Sequence, residues 1–315
     1  MHKLISIVTP CFNEEDNVEE LHRRVVHVMA AESYDYEIIF IDNASTDQTV
    51  AKIKEIAGRD KNVKLIVNCR NFGHIRSPYH GILQAQGDAC ILIASDLQDP
   101  PEMIPEFIRK WEGGFKTVLA VKPQSDEPRW MRMVRRTYYH FLTSISDVPL
   151  VPNATGAGMY DRDVIEILRK IDDPYPYFRG LVCEIGLSIG TVAFKQPQRA
   201  RGVTKNNFFT LYDIGMLGIT KHSKLPLRLV TMLGFALAII SLLVSFLYLV
   251  YKLIYWDSVQ LGIAPILIGL FFLGGIQMFF IGVLGEYVGA IYTQTRKIPL
   301  VIEAERVNFF NKESL

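Results

Sequence analysis

The sequence predicts an α/β domain built on a mainly parallel sheet, followed by two helices that cross a membrane as a hairpin. Three observations carry this reading. Short apolar runs alternate with amphipathic stretches from Leu4 to Val121, the pattern of a parallel sheet covered by helices. Four of those runs stop abruptly at polar loops, which places the loops together at one edge of the sheet. Near the carboxyl terminus, Leu229 to Tyr251 and Leu261 to Leu284 contain no charged residue, and each as a helix measures about 35 Å, enough to span a bilayer.

The strands are expected at Leu4 to Thr9, Tyr36 to Asp42, Val63 to Val67, Ala89 to Ala94 and Thr117 to Val121, with helices at Asn17 to Glu32, Thr46 to Arg59 and Ile75 to Gln86. The loops after the first four strands are Pro10 to Glu15, Asp42 to Asp47, Asn68 to His74 and Asp96 to Pro101. Beyond Val121 the texture turns basic and aromatic over Arg129 to Phe141, a helix-like pattern that suits either a membrane surface or a cover for the sheet. Asn206 to Thr220 reads as an interfacial helix, because a membrane span follows it.

Several function classes drop out. The first strand runs into Pro10-Cys11-Phe12-Asn13-Glu14-Glu15 where a dinucleotide-binding sheet needs Gly-x-Gly-x-x-Gly, and the chain has no Walker loop, no His-Glu-x-x-His and no internal repeat. A net charge of +1 disfavours a nucleic-acid partner. Cys11, Cys69, Cys90 and Cys183 are widely spaced, with no Cys-x-x-Cys, and read as small reduced core residues of a cytosolic domain. Met1-His2-Lys3 leads directly into a strand, so no signal peptide is expected.

Lys221, His222, Lys224 and Arg228 precede the first span, Arg296 and Lys297 follow the second, and the turn around Trp256 and Asp257 has no Lys or Arg. Positive charge on the inner side places both termini in the cytoplasm. The expected organisation is a cytosolic catalytic domain over 1–205, a juxtamembrane interfacial helix over 206–226, two transmembrane helices over 227–290 and a cytosolic tail over 291–315.

Chemistry concentrates in Ser95-Asp96-Leu97-Gln98-Asp99-Pro100-Pro101. An apolar strand that ends in carboxylates and an amide presents hard oxygen ligands of the kind Mg²⁺ and Mn²⁺ take. The same residues also suit a solvated turn before a helix opened by Pro101.

The blocks Thr9-Pro10-Cys11-Phe12-Asn13-Glu14-Glu15, Ile41-Asp42-Asn43-Ala44-Ser45-Thr46-Asp47, Arg70-Asn71-Phe72-Gly73, Asp96-Leu97-Gln98-Asp99-Pro100-Pro101-Glu102 and Gly285-Glu286-Tyr287, in this order, resemble family 2 glycosyltransferases of the polyisoprenyl-phosphate type. The resemblance implies a GT-A, Rossmann-like fold and a nucleoside-diphosphate sugar as donor, with uridine favoured. It implies donor contacts from Pro10, Asn13, Glu15 and Asp42, and a Mg²⁺ or Mn²⁺ ion held by Asp96 and Gln98. Asp42 also has a structural alternative as a helix cap. Many relatives read Asp-Ala-Asp-Leu-Gln where this chain reads Ala94-Ser95-Asp96-Leu97-Gln98, so the first carboxylate is missing.

Arg199, Arg201 and Lys205 resemble the family's acceptor-phosphate segment, the alternative being general attraction to anionic lipid. Glu184 is the carboxylate left as a base or as an orienter of other groups. The implied reaction is inverting transfer of the sugar to a polyisoprenyl phosphate at the cytosolic membrane face, and the chain leaves a homo-oligomer open. Two other readings stand beside it. One is a catalytically weak, membrane-tethered nucleotide-sugar binding protein; the other is a processive polysaccharide synthase, for which further spans and a Gln-x-x-Arg-Trp motif are missing.

Overall fold

The computed structural model describes residues 3–122, 150–194, 216–221, 223–255, 263–296 and 298–309. They fall into two compact units, Met1–Leu211 with Arg296–Leu315, and Tyr212–Thr295. The stretch Arg129 to Phe141 and the acceptor segment with Arg199, Arg201 and Lys205 lie outside the described residues, as does most of Asn206 to Thr220.

The first unit contains one sheet of eight strands: β1 (Leu4–Cys11), β2 (Asp35–Asp42), β3 (Val63–Asn68), β4 (Ala89–Leu92), β5 (Thr117–Val121), β6 (Ala154–Asp161), β7 (Ile189–Ala193) and β8 (Glu303–Val307). Their spatial order is β7-β5-β6-β4-β1-β2-β3-β8. β4, β1, β2 and β3 run parallel, as do β5 and β7, whereas β6 and β8 run against their neighbours. The five expected strands are present, each displaced by two residues or fewer at its ends.

Both faces of the sheet are covered, which is why its central strands are apolar at nearly every position. Ile5, Ile7, Ile38, Phe40, Leu65 and Ile91 face one core, with α1 (Val18–Met29), α2 (Thr49–Arg59) and α4 (Ile104–Glu112) packed over them. Val8, Ile39, Ile41, Ile66 and Cys90 face the other, under α3 (Gly73–Gln84), α5 (Arg162–Lys170) and the short α6 (Phe178–Glu184). From β1 the chain steps outward through β2 to β3, then returns through α3 to place β4 on the other side of β1. The switch point therefore lies between β1 and β4, and the crevice at their carboxyl ends is where open α/β sheets bind ligands.

Three strands, β6, β7 and β8, were not expected from the sequence. β6 inserts between β4 and β5 with two glycines in eight residues. A Cβ at Gly158 would stand 2.5 Å from the Val118 carbonyl oxygen, so this position needs glycine for close approach and its low strand propensity is overridden by pairing on both sides. β8 comes from the segment expected as a tail. It closes the outer edge of β3, with Leu65 opposite Val307 and Asn68 opposite Glu303, and removes an open row of backbone donors and acceptors. Cys69 N donates to Ile302 O at 2.9 Å, His80 meets Glu303 at 2.6 Å, and Asn308 Nδ2 donates to both Ala57 O and Val63 O at 2.8 Å. Burial alone would raise the Glu303 carboxyl, but hydrogen bonds from His80 and Arg306 override it and hold it down at about 2.

The second unit is built on α7 (Leu225–Ile254) and α8 (Ile263–Thr295). Within them Leu225–Tyr248 and Gly269–Thr295 are long and apolar enough to cross a membrane, with mean hydropathies of 2.5 and 1.6 and none of the most apolar window buried. Apolar surface so continuous is unusual on a protein facing only water. The Tyr287 hydroxyl donates to Ser223 O at 2.8 Å, tying α8 to the residues that lead into α7.

Candidate active site

The loops after β1 and β2 are knitted into one surface. Asn13 takes a left-handed backbone with φ 57°, and Ala44 does the same at 64°. Asn13 N donates to Ser45 Oγ at 2.9 Å, while its side-chain oxygen accepts from Thr46 N at 2.8 Å. Glu15 Oε2 accepts from Gln48 N at 2.9 Å, and its carbonyl accepts from Lys52 Nζ at 2.9 Å. Asn13 and Glu15 thus direct their side chains into the second loop, where they fix the entry to α2.

Asp42, at the end of β2, is fully buried. Its carboxylate accepts from the Ser45 backbone N–H at 2.9 Å and from the Ser45 hydroxyl. Burial raises its pKa more than the Ser45 hydrogen bonds lower it. The carboxylate is held by its own turn, as a cap would be. Pro10 lies at the switch point, where its carbonyl accepts from Ser95 Oγ at 2.8 Å and so joins the ends of β1 and β4.

The loop after β4 turns through Leu97, with φ 59°. Gln98 N donates to Asp96 Oδ1 at 3.1 Å, and Ala94 N donates to Asp99 Oδ2 at 3.3 Å. Both carboxylates are nearly buried, 9% and 8% exposed. Burial, helped by the Asp96 charge and opposed by the Ala94 N–H and Arg179, pushes the Asp99 carboxyl up to about 6. Among the described residues no three His, Cys, Asp or Glu side chains gather as a metal cage. One carboxylate and one amide instead match the way Mg²⁺ is often bound, through a single protein carboxylate with substrate phosphates and water completing its shell. The residues present fit such an ion.

Two residues overlooked in the sequence organise this edge. Asn43 donates to Asn71 Oδ1 at 2.9 Å and Gly73 O at 3.2 Å, and accepts from Phe72 N at 2.8 Å and Asn68 Nδ2 at 3.3 Å. One buried amide thereby shapes the whole Arg70-Asn71-Phe72-Gly73 loop. Arg179, in the first turn of α6, donates to Thr155 O. Its charge is felt at Asp99 and, after partial desolvation, lowers the pKa of His74. Glu184 is exposed at the opposite end of that helix. The motif block around Asp42 contained the signal for Asn43; for Arg179 the signal was its place just ahead of Gly180.

A parallel sheet whose first strand ends in Pro-Cys-Phe-Asn-Glu rather than a glycine turn, with Asp and Gln across the switch point, has the GT-A architecture and is the working part of a glycosyltransferase. Comparison with known proteins makes the class specific. The family described as Glycosyl transferase family 2 matches over residues 6–168. An uncharacterized glycosyltransferase of Synechocystis sp. is 32% identical over 96% of this chain and 95% of its own length. A prophage bactoprenol glucosyl transferase homolog of Escherichia coli is 34% identical over 95% of this chain and 97% of its own. The crystal structure of glucosyl-3-phosphoglycerate synthase from Mycobacterium tuberculosis is a looser likeness, 18% identical with a TM-score of 0.48 over 69% of this chain and 76% of that one. The chain belongs to glycosyl transferase family 2.

Proposed function

We propose that this glycosyltransferase moves a sugar from a nucleoside diphosphate, UDP in the reading favoured here, to the phosphate of an undecaprenyl-like polyisoprenyl lipid. The observation that carries the proposal is the joining, in one chain, of a family 2 domain to two helices long and apolar enough to cross a membrane, over a length matched almost end to end by relatives named bactoprenol glucosyl transferase. An acceptor that lives in the bilayer explains why the catalytic unit is tethered there.

In the proposed reaction a lipid phosphate oxygen attacks the anomeric carbon from the face opposite the diphosphate. The new C–O bond forms as the bond to the β-phosphate oxygen breaks, and the nucleoside diphosphate leaves with the electron pair and configuration inverted. A phosphate monoester with its second pKa near ~6 is largely ionised at neutral pH, so Glu184 is required at most to orient groups. Pro10, Asn13, Glu15 and Asp42 would shape the nucleoside end, Asn13 and Glu15 through the loop they hold. Asp96 and Gln98 would hold Mg²⁺ or Mn²⁺, which when bound neutralises charge on the leaving diphosphate. Arg199, Arg201 and Lys205 would receive the acceptor phosphate. Membranes containing the protein, given labelled UDP-sugars and a short polyprenyl phosphate, should yield organic-extractable label. If all label stays aqueous while UDP still binds, transfer to lipid is the wrong reaction.

The pairing of β8 supports a hairpin topology. The chain leaves the catalytic unit before α7 and rejoins its sheet after α8, so two crossings would return it to the same side, and the flanking Lys and Arg favour the cytosol as that side. Cysteine introduced at Ser258 should react with an impermeant maleimide from outside intact cells. Labelling at Ser258 only after lysis would overturn the hairpin.

A further inference from the structure

We propose that Arg70, Arg76 and Arg179, with His74 beside them, form a phosphate-binding subsite at the carboxyl edge of the sheet, built from residues other than the Asp96–Gln98 loop and the Arg199–Lys205 segment.

The distribution of ion pairs singles these residues out. Between residues 3 and 194, every other described arginine has a carboxylate partner: Arg23 with Glu20, Arg24 with Glu102, Arg59 with Glu55, Arg109 with Glu32, and Arg162 and Arg169 with Glu166. Arg70, Arg76 and Arg179 form no salt bridge among the described residues. Each is nevertheless held by a backbone carbonyl: Arg70 by Asn71 O at 3.2 Å, Arg76 by Pro299 O, and Arg179 by Thr155 O. One anchoring bond per guanidinium leaves most of its five donors uncommitted. Arg76 Nε is buried without any partner among the described residues.

Two of these cations share one aromatic ring. The Arg70 and Arg76 guanidinium carbons lie 4.1 and 5.2 Å from the centre of the same Phe72 ring. Burial and then the Arg70 charge lower the pKa of Arg76. Arg179 bears on His74, in the first turn of α3 two residues from Arg76. Gly156, with φ 107°, lies against the Arg179 side chain; a Cβ there would stand 3.7 Å from Nε and Nη2, an ordinary contact distance.

Like charges from the loop that Asn43 braces, from the first turn of α3 and from α6, at the edge where the sheet binds its ligands, call for a multiply charged anion with several acceptor oxygens. Guanidinium forks match phosphate in geometry as well as charge. This rests on the reaction proposed above, which brings two phosphate sources to the site, the donor diphosphate and the lipid phosphate.

The test uses the full chain in nanodiscs of neutral lipid, with dissociation constants measured for two pairs of probes: UDP against uridine, and farnesyl phosphate against farnesol. Arg179→Gln and Arg70→Gln should each weaken one phosphorylated probe by about tenfold or more, as expected for a lost charge-assisted bond, while its unphosphorylated partner shifts by less than about twofold. The arm that moves identifies the source. If both phosphorylated probes stay within about twofold of wild type, the subsite does not exist; it is equally overturned if wild type fails to prefer the phosphorylated probes. Should Arg179→Gln fail to fold, Arg70→Gln, on an exposed side chain, decides alone. Failure of lipid glycosylation would show separately, as wild-type protein that binds UDP and makes no extractable product.

Discussion

Asp96→Asn should lower turnover by about a thousandfold while changing UDP affinity by less than about tenfold. The carboxylate sits at the end of β4, only 9% exposed, on a loop whose turn at Leu97 and whose bond from Gln98 N fix its direction. Asparagine keeps the size and an acceptor for Gln98 N, so the loop should survive. What it loses is negative charge toward a divalent cation. An ion that balances a diphosphate contributes most when that diphosphate gains charge on leaving, and interactions stronger in the transition state than in the ground state appear in kcat. Removal of one such stabilising group costs roughly 10²–10³ in kcat elsewhere, and this site has no second carboxylate at Ala94 to share the load. Rates measured across a Mg²⁺ and Mn²⁺ series check this. Near-normal turnover at any metal concentration would remove Asp96 from the metal site, whereas loss of UDP binding with kcat intact would make it a ground-state contact.

The parts of the molecule that could be read from the sequence are those where local pattern and tertiary role agree. β1 to β5 are apolar runs between polar loops because both of their faces are buried, and the loops at their carboxyl ends collect the functional blocks. β6 was hidden by its glycines, of which Gly158 is there for close approach to β5. β8 was hidden for the opposite reason: Glu303-Ala304-Glu305-Arg306-Val307 is mostly polar, as suits an edge strand with side chains in water, and only its partner β3 reveals it. Motif reading assigned Asn13 and Glu15 to a ligand; in the structure their side-chain oxygens accept from the Thr46 and Gln48 backbone N–H groups. Whether a polar side chain faces a ligand or a neighbouring loop depends on distances that spacing along the chain does not encode. The three arginines without a carboxylate partner among the described residues were invisible for the same reason, since their distinction lies in which acidic side chains stand near them.

Asn43→Leu is expected to have the second large effect, on the shape of the site. The amide is 7% exposed and makes four hydrogen bonds that join the end of β2 to the end of β3 and the loop beyond it. Leucine keeps the branched shape and is larger, so no cavity opens, but Phe72 N and Asn68 Nδ2 lose their acceptor and Asn71 Oδ1 loses a donor. Each buried group left unpaired costs about 1–3 kcal/mol, and partial relaxation into water brings the expected loss to roughly 3 kcal/mol in all, a large value for one substitution. The melting temperature of the catalytic unit should fall by several degrees. Because the loop carries Arg70 and opens α3, the donor KM should rise by at least about tenfold, with kcat changing less, since the proposed reaction puts the leaving diphosphate at Asp96 rather than at this loop. Asn43→Asp separates the two halves of the clamp: it retains the acceptor for Phe72 N and Asn68 Nδ2 but gives up the donor to Asn71 and Gly73 O, and so should fall between wild type and leucine. If the leucine variant melts like wild type and binds donor normally, the loop is held by its own backbone and Asn43 is a bystander to it.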